Sequence, residues 1–163
     1  MSSTDLTQPD EELLKRHEAA EANPLIFKYA RPSGVNSGKG RVDLGKKDIV
    51  RGVVQVVNKS GGENNLHYHS RSASFWLVLK GRVRFYGPGD VVIGEFGPNE
   101  GTVTPRYSRY WFENVGDEDL EILQVIAYSE GAETSGRTDV DPQKFDIGRT
   151  QRFTGVTSRK ADG

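Results

Sequence analysis

The sequence predicts an all-β fold, an antiparallel sandwich or barrel, with a short helix before it and a tail after it. Seven short segments rich in Val, Ile, Phe, Tyr and Trp follow one another between residues 49 and 128. Turn-forming segments rich in Gly, Pro, Asn and Asp separate them. No helical periodicity lies between the segments, which argues against a fold of alternating strands and helices.

The first predicted element is a helix over residues 10–22, with acidic residues in its first turn and Asn23 and Pro24 after its end. The seven predicted strands follow a loop over residues 31–40. They are IVRGVVQVV (49–57), FWLVL (75–79), RVRFY (82–86), DVVIGEF (90–96), GTVT (101–104), RYWFEN (109–114) and LEILQVIAY (120–128). Beyond them, Phe145, Ile147 and Phe153 are isolated anchors of a tail.

These patterns divide the 163-residue chain into three parts. Residues 1–23 form an N-terminal helix and tail, and residues 24–128 form one barrel domain. Residues 129–163 form a C-terminal tail, which we expect to pack on the barrel or on a partner subunit.

Composition and charge exclude several classes of function. The formal net charge is -1, and the basic stretch from Arg31 to Lys59 has no aromatic residue between its charges. We therefore expect no nucleic-acid partner, and a solvated face at that stretch. The chain has no cysteine, which excludes disulfides and thiolate metal sites. No run resembles a signal peptide or a membrane span, so we expect a cytoplasmic protein with no membrane partner.

The stretch NNLHYHSRSASFWLVLKG (64–81) contains His67 and His69, separated by one residue. On an extended strand, residues two apart lie on the same face, ~6.6 Å from each other. Two neutral imidazoles on one face suit zinc, iron, copper or nickel. Without further context, the pair favours hydrogen-bonded polar residues at the mouth of a barrel over a metal site.

The spacing around the histidines resembles a motif of the cupin superfamily. From Gly62 to Gly81, the sequence GENNLHYHSRSASFWLVLKG matches the first cupin motif, in which His-x-His follows a glycine and precedes a glutamate and a second glycine. PRYSRYWFEN echoes the second motif, with Pro105 and Asn114 nine residues apart. The resemblance, from about Val50 to Ala127, implies a double-stranded β-helix, a jelly-roll barrel with a metal inside its mouth.

The sequence departs from both motifs at one ligand each. Ser74 stands at the glutamate position and Tyr110 at the position of the second motif's histidine, so only His67 and His69 remain of four usual ligands. Tyr110 is expected to bind the metal as a phenolate or to act as a catalytic acid or base. The implied cofactor is a divalent metal ion, with iron preferred over zinc, manganese or nickel.

Three functions are compatible with the resemblance. The first is a metal-dependent enzyme, with dioxygenase, lyase or isomerase chemistry on a small organic substrate. The second is a metal-free barrel that binds a small molecule or uses His and Tyr as acid and base, as sugar-modifying cupins do. The third is a non-catalytic, structural barrel. We expect the first, because both histidines of the first motif are present.

Strand alternation predicts further residues of the substrate site. Trp76 lies on the same strand face as Ser74, and Phe112 lies on the same face as Tyr110. If both faces point into the barrel, Ser74, Trp76 and Phe112 line an apolar, aromatic substrate pocket. Core packing is the alternative for both aromatic residues. Gln55, a polar residue among valines, is expected to bind the ligand if it does not face solvent. Arg106 is the candidate partner of a substrate carboxylate, with a surface position as the alternative.

The resemblance also implies an oligomer. Cupins often pair their barrels into dimers through edge strands, and an exposed strand edge needs a cover. We therefore expect a homodimer, with PLIFKY (24–29) as the candidate pairing segment.

Overall fold

The computed structural model describes residues 10–59, 61, 63–140, 150–155 and 159–160. The helix α1, Glu11–Glu21, lies within the predicted range, and its N-cap Asp10 accepts a hydrogen bond from the Leu13 amide at 2.7 Å. A capped start and acidic residues in the first turn explain why the helix begins there. No helix of the described residues is long and apolar enough to cross a membrane.

The described residues also form thirteen strands. They are β1 (Leu25–Ile26), β2 (Lys39–Lys47), β3 (Val50–Val57), β4 (His67–His69), β5 (Ser72–Lys80), β6 (Val83–Tyr86), β7 (Val92–Phe96), β8 (Gly101–Thr104), β9 (Trp111–Asn114), β10 (Leu120–Tyr128), β11 (Arg137–Asp139), β12 (Gln151–Thr154) and β13 (Arg159–Lys160). A short 3-10 turn, Pro88–Asp90, lies between β6 and β7. The predicted all-β class is therefore confirmed, together with the short N-terminal helix.

The strands form one large sheet and three small ones. The large sheet has six strands in the order β12-β2-β3-β10-β5-β8. A second sheet has the order β7-β6-β9, while β4 pairs with β11 and β1 with β13. All pairs are antiparallel except β12 with β2. All seven predicted segments contain a strand, and β8 and β10 have the predicted bounds.

Strand β2 begins at Lys39, inside the predicted loop over residues 31–40, and runs through part of the stretch that was expected to form a solvated basic face. The expectation of a solvated face is wrong for Lys39 and Arg41, which line a cavity of the barrel. Gly40, Val42 and Leu44 are buried, and they alternate with charged residues that include Lys39 and Arg41. Such alternation is the pattern of a strand between two environments. The charges were assigned to solvent because no local signal indicates that they face a polar cavity.

The segment after residue 128 contributes strands to the barrel. Strand β11 pairs with β4, which carries both histidines, and β12 extends the large sheet beside β2. Phe153 packs on the outer side of that sheet against a small cluster of Val42, Leu44 and Val54. Phe145 and Ile147, the other predicted anchors, lie outside the described residues.

The main core fills one end of the barrel interior. The cluster comprises Val57, Trp76, Val78, Val83, Phe85, Tyr110, Phe112, Leu120 and Ile122. Trp76 and Val78 are buried, as strand alternation from Ser74 predicts. The apolar cluster leaves a polar cavity beside it, where β2, β4, β11 and β12 meet.

Candidate functional site

The cavity beside the apolar cluster has a volume of about 160 Å³. Its described lining is mostly polar or charged and consists of Lys39, Arg41, Gln55, Asn64, His67, His69, Trp76, Tyr110, Gln124, Arg137, Thr150 and Arg152. The expectation of an apolar, aromatic pocket is therefore wrong. The strands that supply the charges, β2, β11 and β12, were not recognised as strands in the sequence.

The cavity wall brings together three predicted site residues, His67, His69 and Tyr110. The backbones of His67 and Tyr110 form a reciprocal pair, with N to O distances of 3.1 and 3.0 Å. Their ring centroids are 4.6 Å apart, and the rings of His67 and His69 are 5.1 Å apart. The two motif segments are thus joined by backbone hydrogen bonds, which hold the three side chains in place.

The backbone determines which nitrogen of His67 carries a hydrogen. The His67 Nδ1 lies 2.7 Å from the carbonyl oxygen of Asn65, and a carbonyl oxygen only accepts hydrogen bonds. Nδ1 therefore donates, and Nε2 of the neutral ring keeps its lone pair. The Nδ1 of His69 lies 3.0 Å from the Ser135 hydroxyl, on the loop before β11.

Burial keeps these three groups neutral at pH 7. It lowers the pKa of His67 to about 3 and that of His69 to about 4, and the nearby positive charge of Arg137 acts in the same direction. Burial also raises the pKa of Tyr110 to about 12, although a hydrogen bond with Thr104 acts against this shift. Each ring can therefore take part in hydrogen bonding without carrying a charge.

The described lining of the cavity includes four cationic side chains, namely Lys39, Arg41, Arg137 and Arg152. In register, Arg152 and Arg41 are neighbours on β12 and β2. Arg137 pairs with Asp139 at 3.0 Å, whereas the other three have no ion pair among the residues that the structure describes. No Asp or Glu belongs to the described lining. The cavity is therefore strongly electropositive.

A chain of buried amides forms another side of the cavity. Gln55 Nε2 donates to Gln124 Oε1 at 2.9 Å, and Gln124 Nε2 donates to the Ser74 hydroxyl at 3.0 Å. The Oε1 of Gln55 is buried and has no hydrogen-bond partner among the described residues. It is a hydrogen-bond acceptor available to a ligand, because an unpaired buried acceptor is costly.

Of the remaining residues predicted for the substrate site, one lines the cavity and three do not. Trp76 lines the cavity, and its Nε1 donates to the Thr104 hydroxyl at 3.1 Å. Ser74 holds Gln124 and is not part of the lining, and Phe112 is buried in the apolar cluster. Arg106 is exposed and donates to the Ser129 hydroxyl at 3.1 Å, away from the lining.

Sequence reasoning did not identify seven of the described cavity residues, namely Lys39, Arg41, Asn64, Gln124, Arg137, Thr150 and Arg152. The only available signal was the alternation of charged and apolar residues in KGRVDL (39–44) and of Gln124 with apolar residues in LEILQVIAY. Arg137 and Arg152 lie in short strands without an apolar pattern, and no local signal could have identified them.

The side chains of His67, His69 and Tyr110 can be compared with the ligands that a divalent metal ion requires. Two neutral imidazoles suit such a metal, but a phenol with a pKa of about 12 is a poor ligand. No group of three or more His, Asp or Glu in the described part of the chain is arranged to hold an ion. The surrounding cations also repel a divalent cation, so the described residues do not fit one.

Comparisons with known proteins agree on the fold. Residues 53–126 match the family model described as a cupin domain. No curated protein sequence matches the chain. Among solved structures, an uncharacterized conserved protein with a double-stranded beta-helix domain from Klebsiella pneumoniae subsp. pneumoniae MGH 78578 is similar with a TM-score of 0.58 and 19% identity, over 72% of this chain and 97% of that chain.

Two further solved structures are similar in fold. KdgF from Halomonas sp. has a TM-score of 0.52 and 15% identity, over 60% of this chain and 87% of that chain. A recombinant oxalate oxidase in complex with glycolate has a TM-score of 0.52 and 16% identity, over 68% of this chain and 59% of that chain. The predicted double-stranded β-helix and the predicted resemblance to the cupin superfamily are thereby confirmed.

Proposed function

We propose that the cavity binds a small organic anion directly on cationic side chains, without a resident metal, and transfers protons on it. The observation that carries this proposal is the set of four cations and the absence of any carboxylate among the described lining residues. This is the second of the three functions compatible with the sequence, the metal-free barrel.

The electrostatics of the empty cavity favour an anion. Burial and the neighbouring charge of Arg152 lower the pKa of Arg41, which means that its charged form is destabilised where it lies. A carboxylate or phosphate in the cavity relieves this cost, because a buried charge is stable only when it is paired. The planar guanidinium groups also match the geometry of a carboxylate.

The neutral rings have distinct roles towards such a ligand. His67 presents an Nε2 lone pair, since its Nδ1 hydrogen is held by Asn65, and it accepts a proton or a hydrogen bond from the substrate. Tyr110 keeps its phenolic hydrogen at neutral pH and donates it to a substrate oxygen. A bound anion offsets the charge of Arg137 and thereby makes His67 a stronger base.

A cupin-fold structure with a small carboxylate is compatible with this proposal. The oxalate oxidase structure of similar fold is a complex with glycolate, which is the kind of ligand proposed for this cavity. Identity of 16% transfers the fold and not the substrate, so the argument rests on the four cations of this chain.

We expect Arg41→Met to weaken binding of the preferred anion by about 30-fold or more, since truncating one member of a buried charge pair costs ~2 kcal/mol or more. Calorimetric titration with acetate, glycolate, pyruvate and phosphate at pH 7 and low salt measures the affinity. Arg82→Met is the matched control, because Arg82 is exposed at the turn before β6. If the wild-type protein binds none of these four anions, the proposal is contradicted.

The metal site on His67, His69 and Tyr110 stays a prediction and is the competing hypothesis. Elemental analysis of protein from iron- and zinc-supplemented cells tests it. About one equivalent of metal per chain, lost in the double variant His67→Ala and His69→Ala, would support an iron- or zinc-dependent enzyme and contradict a metal-free site.

We also propose that the chain forms a homodimer through the segment 24–29. Although β1 pairs with β13, Ile26 and Phe27 are 53% and 52% exposed, a large fraction for adjacent apolar side chains. We expect light scattering to give twice the chain mass. Phe27→Ser should raise the dissociation constant of the dimer by at least ~10-fold. Phe75→Ser, at an exposed site on β5, is the control. A monomeric wild-type protein would contradict the proposal.

A further inference from the structure

Lys39 is an amine at the cavity wall that forms no ion pair with any described residue. It begins β2, and its side chain lines the cavity two residues from Arg41 on the same face of the strand. Its Nζ lies 5.3 Å from the centroid of the Phe112 ring. Its surroundings are therefore an apolar ring on one side and cations on the other.

These surroundings favour the neutral amine over the ammonium ion. Burial lowers the pKa of Lys39 to about 7, and the charges of Arg137 and Arg41 act in the same direction. About half of the molecules then carry a neutral amine at pH 7, against less than about one in a thousand for an ordinary lysine. A neutral amine has a free lone pair and is a nucleophile towards carbonyl carbon.

The other cavity groups match the remaining parts of a small carbonyl acid. Arg41 and Arg137 suit its carboxylate, and the phenol of Tyr110 can donate a proton to its carbonyl oxygen. The unpaired Oε1 of Gln55, cross-strand neighbour of Arg41, accepts a hydrogen bond from a hydroxyl group. A cavity of about 160 Å³ is smaller than the usual pocket for a drug-sized ligand, which favours a ligand of a few carbon atoms.

We propose that the Lys39 amine forms an imine with the carbonyl carbon of a small oxo acid, whose carboxylate is held by the guanidinium groups of Arg41 and Arg137. The Nζ lone pair forms a C–N bond while the carbonyl π electrons move to oxygen, which takes up a proton and gives a carbinolamine. The nitrogen loses its two protons in turn, the hydroxyl takes up a second proton and leaves as water, and the nitrogen lone pair forms the C=N bond, so amine and carbonyl yield imine and one water. This inference rests on the proposed anion site.

The test uses glyoxylate as the oxo acid and cyanoborohydride to trap the imine. Hydride adds to the imine carbon and leaves a secondary amine, which peptide mapping by mass spectrometry locates. At pH 7 we expect Lys39 of the wild-type protein to be modified at least ~10-fold faster than the exposed Lys59 and Lys80. Equal rates at the three lysines would overturn the proposal, and this comparison needs no variant.

A second comparison uses variants and a probe without a carboxylate. Lys39→Arg should abolish the fast modification, whereas Lys80→Arg, at a surface lysine that pairs with Glu118, should not change it. Acetaldehyde should modify Lys39 at least ~10-fold more slowly than glyoxylate, and acetate should protect against glyoxylate. A fast modification that persists in Lys39→Arg would overturn the proposal.

The results separate the imine from the anion site on which it rests. Binding of acetate and glycolate without fast modification of Lys39 would overturn the imine and leave the anion site in place. Fast modification of Lys39 by acetaldehyde and glyoxylate alike, with no protection by acetate, would overturn the carboxylate-binding role of the arginines.

Discussion

We expect the free energy of unfolding to fall by about 2.5 kcal/mol between pH 7 and pH 4.5 because of His67 alone. The pKa of His67 is lowered from about 6.5 in the unfolded chain to about 3 in the fold by burial and by Arg137. As the pH falls, the unfolded chain therefore takes up the proton first. The stability is complete above pH 6.5 and is lost progressively as the pH approaches 3.

Urea denaturation at several pH values between 7 and 4.5 measures this effect. His67→Gln should flatten the pH dependence by about 2.5 kcal/mol over that range, whatever its effect on stability at pH 7. His17→Gln, on the exposed face of α1, is the control and should retain the wild-type pH dependence. Parallel curves for wild type and His67→Gln would show that His67 is not buried as the structure has it.

Replacing Trp76 by alanine should destabilise the protein by about 3–5 kcal/mol, the range for a large aromatic residue in a core. Trp76 is 2% exposed and lies between the apolar cluster and the cavity. Its ring contacts Phe85, Phe112 and Tyr110 edge to face, with centroid distances of 5.5, 5.4 and 6.0 Å. The substitution removes these contacts and leaves the Thr104 hydroxyl without its indole donor.

Phe75→Ala is the matched control for Trp76. Phe75 precedes it on β5, is 51% exposed and lies on the outer face of the sheet, so its truncation should cost less than about 1 kcal/mol. Denaturant unfolding of both variants and the wild type at pH 7 measures the difference. Equal losses for the two variants would contradict the assignment of Trp76 to the interior and Phe75 to the exterior.

Much of the barrel could be predicted because its signals are local. The segment LEILQVIAY became β10 with the predicted bounds, since alternation and β-branched residues identify a strand without knowledge of its partners. The same property placed His67 and His69 near each other, with ring centroids 5.1 Å apart. The position of Tyr110 came from the spacing of the second cupin motif, and its pairing with His67 agrees with that spacing.

The charge of the cavity could not be predicted, because it depends on contacts between distant parts of the chain. Arg152 becomes a neighbour of Arg41 only when β12 pairs with β2, and Arg137 reaches the histidines only through the pairing of β11 with β4. Neither short strand has an apolar pattern that a local window detects. Arg106 lies inside the second motif and was therefore a better candidate by its position in the sequence, but its side chain is exposed.

The sequence by itself determined an all-β chain with two histidines on one strand face, because a period of two residues is a property of extended backbone. Only the tertiary structure decided what surrounds those histidines. Closing the barrel brings Lys39, Arg41, Arg137 and Arg152 to one cavity and keeps His67 neutral. The physical reason is that burial and electrostatic interactions depend on distances in space, which the order of residues along the chain does not contain.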